Sequence, residues 1–353
     1  MWYHLYGPRD WVIFSLLCVF ILVTLAQLTP IWRPGFRRGS AAILLPLLAC
    51  LALAYWPWEP VLREHVLPIK GLQRSITIAH LSDVHLTCLP VVGWHNRRSA
   101  ERGVALVEQI DPDLVVLTGD YVHMAPDYVA VGELLGPLGE RWPTFAVLGN
   151  HDFWEVEWPE RARGGRGEVT TTGDWARLLN ARLLRNEARP IAGGRIWIIG
   201  VDDPATGRDD ITRAMRGVPD DAVKIVIAHS PDIFRKAARA RADVLLGGHL
   251  HGGQVWLPGT GPVYTHSLLT KRLRRQLAVG CRWMPLPGGE RMYIVSTTGL
   301  GVSSAAPVRL GCPAEVAKIV LVPADSPEAR QSECTGPEQR LQFSAVLDPD
   351  LRP

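Results

Sequence analysis

The sequence lacks three features that would place it in familiar classes of protein. It has six cysteines in 353 residues, and no two of them form a C-x-x-C pair. This spacing does not indicate a zinc finger, and it does not demand a disulfide framework. The net charge of +3 is too small to indicate a nucleic-acid partner, and no internal repeat is present. The hydrophobic fraction of 47% supports a packed core, in one large domain or two ordinary ones.

Charge is absent from the first apolar run, residues 11–28, which read WVIFSLLCVFILVTLAQL. A run of about 18 residues is just long enough to cross a bilayer as a helix. Trp11 and Trp32 flank it, as aromatic residues do at membrane interfaces. A second apolar run covers residues 41–58, and no small-x-small cleavage site follows the first. We therefore predict a membrane anchor over residues 1–60, with two transmembrane helices preferred to one; a cleaved signal peptide stays an alternative.

The side of the membrane depends on how many of these runs span it. Arg33, Arg37 and Arg38 lie between them, and basic residues prefer the cytoplasmic side. If both runs span, the rest of the chain lies outside; if only the first spans, it lies in the cytoplasm. The exterior location is preferred. A basic run at residues 271–275 is either a solvated loop or a contact for anionic lipid heads.

From about residue 71 the pattern changes to short apolar runs, each ending in a polar motif. Continuous apolar runs of about four to six residues are typical of strands buried on both faces. Helical patterns lie between several of them, as at residues 98–110 and 231–241. This alternation predicts an α/β domain over residues 71–322, with functional groups on loops at the strand ends. Residues 323–353 are polar without periodicity and are predicted to be a disordered tail.

Five polar motifs follow the apolar runs in a fixed order. They are Asp83-Val84-His85, Gly119-Asp120, Gly149-Asn150-His151-Asp152, Ala228-His229-Ser230 and Gly248-His249-Leu250-His251. Together they hold three Asp, one Asn and five of the 11 His in the chain. Gly-Asp alone is a common turn and Asp-x-His alone is usually incidental. All five in order, each after a predicted strand, indicate one site.

The residue types in these motifs favour metal chemistry. Asp, Asn and His suit Mn²⁺, Fe or Zn²⁺ rather than Cu(I). Two ions about 4 Å apart need a bridging carboxylate and separate ligands for each ion. Asp120 is the natural bridge, and His249 and His251 can point towards different ions from one tight turn. The motif set therefore predicts a two-metal hydrolytic site.

At this point the ordered motifs resemble those of the calcineurin-like metallophosphoesterase superfamily, over about residues 75–322. More narrowly, the chain is similar to the membrane-associated or exported YkuE/YaeI-like branch. The supporting stretches are His229-Ser230-Pro231-Asp232 and residues 248–254, 298–301 and 307–310. That branch often has Arg before Gly-Leu-Gly, where this chain has Thr298. The resemblance implies an α/β (α+β) fold, a four-layer αββα sandwich of two mixed β-sheets with helices outside.

The resemblance also implies roles for the motif residues. One ion would be held by Asp83, His85, Asp120 and His251, and the other by Asp120, Asn150, His229 and His249. Both would be divalent ions, with Mn²⁺ preferred and Fe or Zn²⁺ open. A hydroxide that bridges them would attack phosphorus in line with the leaving group. His151 would protonate the leaving oxygen, and Asp152 would orient His151.

The substrate stays open within one chemical class. The predicted anchor favours a lipid-linked or membrane-surface phosphate ester or diphosphate, and a phosphodiester or pyrophosphate bond is preferred to a phosphomonoester. One alternative is hydrolysis of UDP-2,3-diacylglucosamine in lipid A synthesis, which requires the cytoplasmic side. Another is a non-catalytic interaction scaffold on the same fold. The scaffold would predict missing ligands, whereas every motif residue is present.

Overall fold

The computed structural model describes residues 59–158, 163–257, 261–262, 275–303 and 307–341. The predicted membrane anchor, residues 1–60, lies outside this part of the chain except for its last two positions. Among the described residues, we find no helix with the length and the apolar character needed to cross a bilayer. The basic run at residues 271–275 also lies outside, apart from its last residue.

The described chain alternates between strands and helices. The strands are β1 Val61–Ile69, β2 Ile76–Leu81, β3 Leu114–Leu117, β4 Thr144–Ala146, β5 Arg182–Leu183, β6 Glu187–Ile191, β7 Ile196–Val201, β8 Val223–Ala228, β9 Val244–Gly247, β10 Trp256–Leu257, β11 Gly261–Pro262, β12 Gly280–Pro285, β13 Arg291–Ser296 and β14 Glu315–Pro323. The α-helices are α1 Pro90–Ile110, α2 Tyr128–Arg141, α3 Asn150–Glu157, α4 Thr172–Leu178, α5 Ile211–Ala214 and α6 Phe234–Arg239. Short 3₁₀ helices cover Ala192–Gly194, Pro204–Thr206, Pro231–Ile233, His251–Gly253, Glu328–Gln331, Glu333–Thr335 and Pro337–Gln339.

Two six-stranded mixed sheets form the centre of the domain. The first has the order β1-β14-β2-β3-β4-β5, and the second has the order β12-β13-β9-β8-β7-β6. Strands β2 to β5 run parallel, and β14 pairs antiparallel with β2. In the second sheet β13, β9, β8 and β7 are parallel, with β12 and β6 antiparallel at its borders. The predicted α/β sandwich with two mixed sheets is therefore confirmed.

The apolar runs explain why the sheets are covered on both faces. All six residues of β8 are buried, and successive side chains of a strand point to opposite faces. Ile225 and Ile227 pack in the core between the two sheets. Val226 and Ala228 pack on the outer face, against Phe234 and other residues of α6. Helices α1, α2 and α4 cover the outer face of the first sheet in the same way.

The first sheet begins earlier than the predicted domain boundary at residue 71. Strand β1 pairs in parallel with β14 along its whole length, from Val61 to Ile69. The sequence of β1 contains charged residues and does not show the apolar pattern of a buried strand. Only Leu67 and Ile69 of this strand are buried in the core between the sheets.

The segment after β14 differs from the predicted disordered tail. Residues 324–341 form short helical turns, and Cys334 packs in the core between the sheets. The indole of Trp283 donates to the carbonyl of Gly336 at 2.9 Å, and the N–H of Leu341 donates to the carbonyl of Trp283 at 2.8 Å. A few well-placed apolar residues order this polar segment, so the prediction is wrong for residues 324–341. Residues 342–353 lie outside the described part.

Candidate metal centre

All five motifs lie where a strand ends. Asp83 and Asp120 come two or three residues after β2 and β3, and Asn150 follows β4 closely. In the second sheet, His229 follows β8 and His249 follows β9. The carboxyl ends of these parallel strands meet at one edge of the sandwich, which we call the site edge. The seven predicted ligands are therefore carried by two rigid sheets.

Asp83, His85 and His251 form the first ligand group, with their ligand atoms within 4.8 Å of one another. The Nε2 atoms of His85 and His251 are 3.0 Å apart. Nε2 of His251 is 3.3 Å from Oδ1 of Asp83. Atoms that bind one ion at about 2.1 Å lie roughly 3.0–3.4 Å from one another. The spacing of this group therefore fits a shared cation.

Asp120, His229 and His249 form the second group. Nε2 of His229 lies 3.2 Å from Oδ2 of Asp120 and 3.1 Å from Nδ1 of His249. The amide oxygen of Asn150 is buried and lacks a hydrogen-bond partner. A buried acceptor without a partner costs free energy, and a cation satisfies it. The donor set thus fits the predicted second ion.

One carboxylate oxygen belongs to both groups. Oδ2 of Asp120 is 3.5 Å from Nε2 of His85 and 3.2 Å from Nε2 of His229. The other oxygen, Oδ1, accepts a hydrogen bond of 2.9 Å from the N–H of His151. This hydrogen bond fixes the carboxylate with Oδ2 between the groups, which is the position that a bridging ligand requires.

The surroundings act differently on the imidazoles: burial favours neutral rings at His85 and His251, whereas Asp120 raises the pKa of His229 against the effect of burial. Nδ1 of His229 donates to the carbonyl of Thr118 at 2.7 Å, so Nε2 is the nitrogen that faces the second group. Burial holds the pKa values of His85 and His251 well below the usual value, which favours neutral rings. Burial also raises the pKa of Asp83 to about 6. The two groups place carboxylates and imidazoles close together and away from solvent, which costs free energy. A bound divalent cation would offset this cost.

The ligand loops are strained. Five of the seven ligands are non-glycine residues with positive φ, an arrangement that costs free energy and clusters at functional sites. They are Asp83 at 55°, His85 at 51°, Asp120 at 54°, His249 at 66° and His251 at 48°. Gly149 and Gly248 allow the closest approaches, because a Cβ atom on either would collide with the carboxylate of Asp120 or Asp83. The motif glycines therefore make room for ligands.

His151 is more accessible than His85 and His229. Its side chain is 14% exposed, whereas those of His85 and His229 are almost fully buried. Nδ1 of His151 lies 3.3 Å from Oε1 of Glu155 and 3.0 Å from Nδ1 of His123. A substrate can therefore reach this imidazole beside the ligand groups.

The hydrogen bonds of Asp152 point to a role other than the predicted one, which was to orient His151. Its carboxylate accepts hydrogen bonds of 2.8 Å from the N–H groups of Gly149, Asp120 and Tyr121. The reason is helical geometry, since consecutive residues in α3 point in different directions whereas residues four apart share a face. Glu155, four residues after His151, is the carboxylate beside the imidazole. Asp152 instead ties together the loops that carry Asp120 and Asn150.

The sequence therefore missed two residues of the site, Glu155 and His123. His123 lies outside the five motifs, yet ring nitrogens of His85, His123 and His151 lie within 4.8 Å of one another. Its place three residues after Asp120, in the loop that follows a strand, was the available signal. For Glu155 the signal was its spacing from His151 on a short helix.

The sequence profile of the calcineurin-like phosphoesterase family matches residues 76–253, which contain all seven predicted ligands. The chain belongs to the calcineurin-like phosphoesterase family. This phosphoesterase is 28% identical over 269 residues to phosphodiesterase YaeI of Escherichia coli (strain K12), covering 75% of this chain and 89% of YaeI. It is 30% identical over 266 residues to an uncharacterized metallophosphoesterase of Aquifex aeolicus (strain VF5), covering 71% and 86% of the two chains.

Two other relatives of this phosphoesterase are longer than the matched region. A transmembrane protein with metallophosphoesterase domain from Bos taurus is 27% identical over 282 residues, covering 69% of this chain and 59% of that protein. The uncharacterized metallophosphoesterase YkoQ of Bacillus subtilis (strain 168) is 28% identical over 193 residues, covering 53% and 64%. The match thus spans less than two thirds of each of these relatives.

Proposed function

We propose that this protein is a divalent-metal-dependent phosphohydrolase that cleaves a phosphodiester or diphosphate bond. The observation that carries the proposal is the position of Asp120, whose Oδ2 faces both ligand groups. When bound, two divalent ions would neutralise charge on the phosphoryl oxygens and lower the pKa of an attacking water. The relative named phosphodiesterase YaeI supports the choice of a diester.

The residues of the chain divide the remaining work. Seven residues would hold the ions: Asp83, His85, Asp120, Asn150, His229, His249 and His251. His151 donates a proton to the leaving oxygen, and we assign Nε2 as the donor atom because Nδ1 faces Glu155 and His123. The carboxylate of Asp152 holds the loops of Asp120 and Asn150 together by accepting hydrogen bonds from the N–H groups of Asp120 and Gly149.

We further propose that residues 1–58 hold the domain at a membrane and that the substrate is lipid-linked or presented at the membrane surface. Two observations support this view. The first is the pair of apolar runs at residues 11–28 and 41–58. The second is the bovine relative, whose name describes a transmembrane protein.

The test uses the full chain purified in detergent. After removal of metal with a chelator, we expect no hydrolysis of bis-p-nitrophenyl phosphate or of p-nitrophenyl phosphate. Addition of Mn²⁺ should restore activity, with the diester preferred, and Fe²⁺ and Zn²⁺ serve as comparisons. Binding of two equivalents of metal without hydrolysis of either ester under any of these ions would overturn the proposal and favour the scaffold alternative.

A further inference from the structure

Large apolar side chains are exposed at one edge of the described structure. We call this set the apolar rim; it consists of Val61, Leu62, Val91, Trp94, Met124, Val129 and Trp158. Within the described ranges, these seven are all of the large apolar side chains with high exposure, and Trp94 is 56% exposed. Single exposed apolar residues are ordinary, but a set confined to one edge marks an interaction surface.

Four members of the apolar rim lie on segments that follow predicted metal ligands. Val91 and Trp94 are near the start of α1, which follows the loop of Asp83 and His85. Met124 and Val129 lie in and just after the loop that follows Asp120. The two loops are joined by a hydrogen bond of 2.7 Å from the N–H of Cys88 to the carbonyl of Ala125.

Trp158 connects the apolar rim with His151 through Trp154. It directly follows α3, the helix that begins with Asn150. The ring of Trp154 lies 5.6 Å from that of Trp158 and 5.2 Å from that of His151, measured between centroids. A series of ring contacts therefore runs from the exposed Trp158 to His151.

Val61 and Leu62 show that the chain enters the domain at this same edge. Strand β14 runs antiparallel to β2, with Ala317 opposite His80, so β14 begins where β2 ends. Strand β1 runs parallel to β14, with Val61 opposite Glu315, so β1 also begins at the site edge. The preceding Glu59 forms an ion pair of 2.8 Å with Arg102 of α1. The segment that contains both apolar runs therefore joins the domain beside the metal centre.

The opposite edge of the sandwich has a different surface. Lys70, Gln73, Arg74 and Arg195 are exposed there, at the turns that precede β2 and β7. Tryptophan favours the interface between water and lipid headgroups, and shallow burial of an apolar surface in this layer stabilises attachment. Because the proposed anchor joins the domain at the site edge, it keeps the site edge close to the bilayer and the charged opposite edge away from it.

We propose that the apolar rim docks on the surface of a phospholipid bilayer, so that the metal centre faces the membrane and takes its phosphate ester from the lipid surface. The docking rests on the placement of the rim and of the point where the chain enters. The source of the substrate rests on the proposed function. Lipid, rather than a second copy of the chain, is the occupant because the apolar runs reach the domain at this edge.

The first experiment maps the contact directly. The full chain is reconstituted in phosphatidylcholine vesicles that contain a phosphatidylcholine with a photoactivatable acyl chain, and adducts are located by peptide mass spectrometry. We expect adducts at residues 91–94, 124–129 and 158, and none at residues 70–74 or 195. Adducts confined to the apolar runs of residues 1–58 would overturn the proposal, as would adducts shared equally between the two edges.

A pair of matched variants tests the chemistry of the contact. In Val91→Ser/Trp94→Ser, we expect adducts at residues 124–129 and 158 to fall about tenfold, because two apolar side chains no longer leave water on docking. The control Val91→Leu/Trp94→Phe should keep the adducts. Both variants should hydrolyse bis-p-nitrophenyl phosphate in solution as the parent does. Equal adduct yields in the two variants would contradict the proposal.

These measurements separate the docking proposal from the proposed function. Hydrolysis of the soluble diester without lipid adducts on the rim would refute docking and leave the phosphohydrolase proposal standing. Adducts on the rim without metal-dependent hydrolysis would support docking and refute the phosphohydrolase proposal. If residues 1–58 or a second copy cover the rim, lipid adducts will be missing there, which counts against docking.

Discussion

The two edges of the same sandwich differ in how closely polar side chains pack against the backbone. Non-glycine residues with positive φ occur at both edges, as at Asp83 and Asp120 on the site edge and at Asp111 and Arg241 on the opposite edge. At the site edge, a Cβ on Gly149 would collide with the carboxylate of Asp120, whereas Gly71 at the opposite edge has open space around its Cβ position. There, Lys70 and Glu290 form an exposed ion pair of 3.2 Å. Turns at this edge only reverse the chain, whereas those at the site edge also crowd polar groups together.

The difference shows which parts of the fold stabilise the domain and which parts lower its stability. Buried strands such as β3 and β8 are regular and apolar, and they contribute the free energy that holds strained loops in place. Buried carboxylates and imidazoles without full hydrogen bonding are costly, and the site edge concentrates them. We therefore expect substitutions at this edge to change metal binding and catalysis, and equivalent ones at the other edge to change little.

The largest effect is expected for Asp120→Ala. Both ligand groups lose the shared oxygen, so metal content should fall for both ions and activity should drop at least about a thousandfold. Metal stoichiometry and hydrolysis of bis-p-nitrophenyl phosphate measure the two effects. Retention of two equivalents of metal would show that the bridging role is wrong. Lys70→Ala at the opposite edge is the control and should match the parent protein.

A smaller effect without loss of metal is expected for His151→Ala. General-acid catalysis contributes about 10²–10⁴ in rate, and the loss should be greatest for esters with poor leaving groups. Rates for a series of phosphodiesters, together with the metal content of each preparation, check this prediction. Full activity of the variant on the poorest leaving group would remove His151 from the role of acid.

The smallest of the three effects is expected for Asp152→Asn. Its amide cannot accept all three hydrogen bonds from Gly149, Asp120 and Tyr121 as the carboxylate does, so the ligand loops should loosen. Groups that position metal ligands typically contribute 10–100-fold in metal affinity, and a loss of roughly that size is expected in metal titrations. Glu155→Gln is the matched control.

The pair of variants distinguishes two roles for a carboxylate. Glu155→Gln should alter turnover while metal affinity stays at the level of the parent, since Glu155 lies beside His151. An Asp152→Asn protein with unchanged metal affinity but an altered pH profile of turnover would contradict our assignment. It would restore the sequence-based prediction that Asp152 orients His151.

Most of the site was predictable because its ligands follow apolar runs that can only be buried strands. Asp83, Asp120 and His229 were found in this way, and the geometry brings them together as expected. The prediction that Asp152 orients His151 took adjacency in sequence as contact, whereas consecutive residues of a helix point in different directions. His123 was missed because a histidine in a loop has no distinguishing local pattern.

By itself, the sequence indicated the family, the α/β sandwich and the seven predicted ligands, since the motifs depend on local patterns of apolar runs and polar strand ends. Only the tertiary structure decided which oxygen of Asp120 is shared, which carboxylate lies beside His151 and where the chain enters. Each of these depends on contacts between segments that are far apart in sequence. Strand β1 illustrates the reason: with Arg63, Glu64 and His65 at its centre it gives little strand signal alone, and pairing with β14, more than 200 residues later, makes it a strand at the site edge.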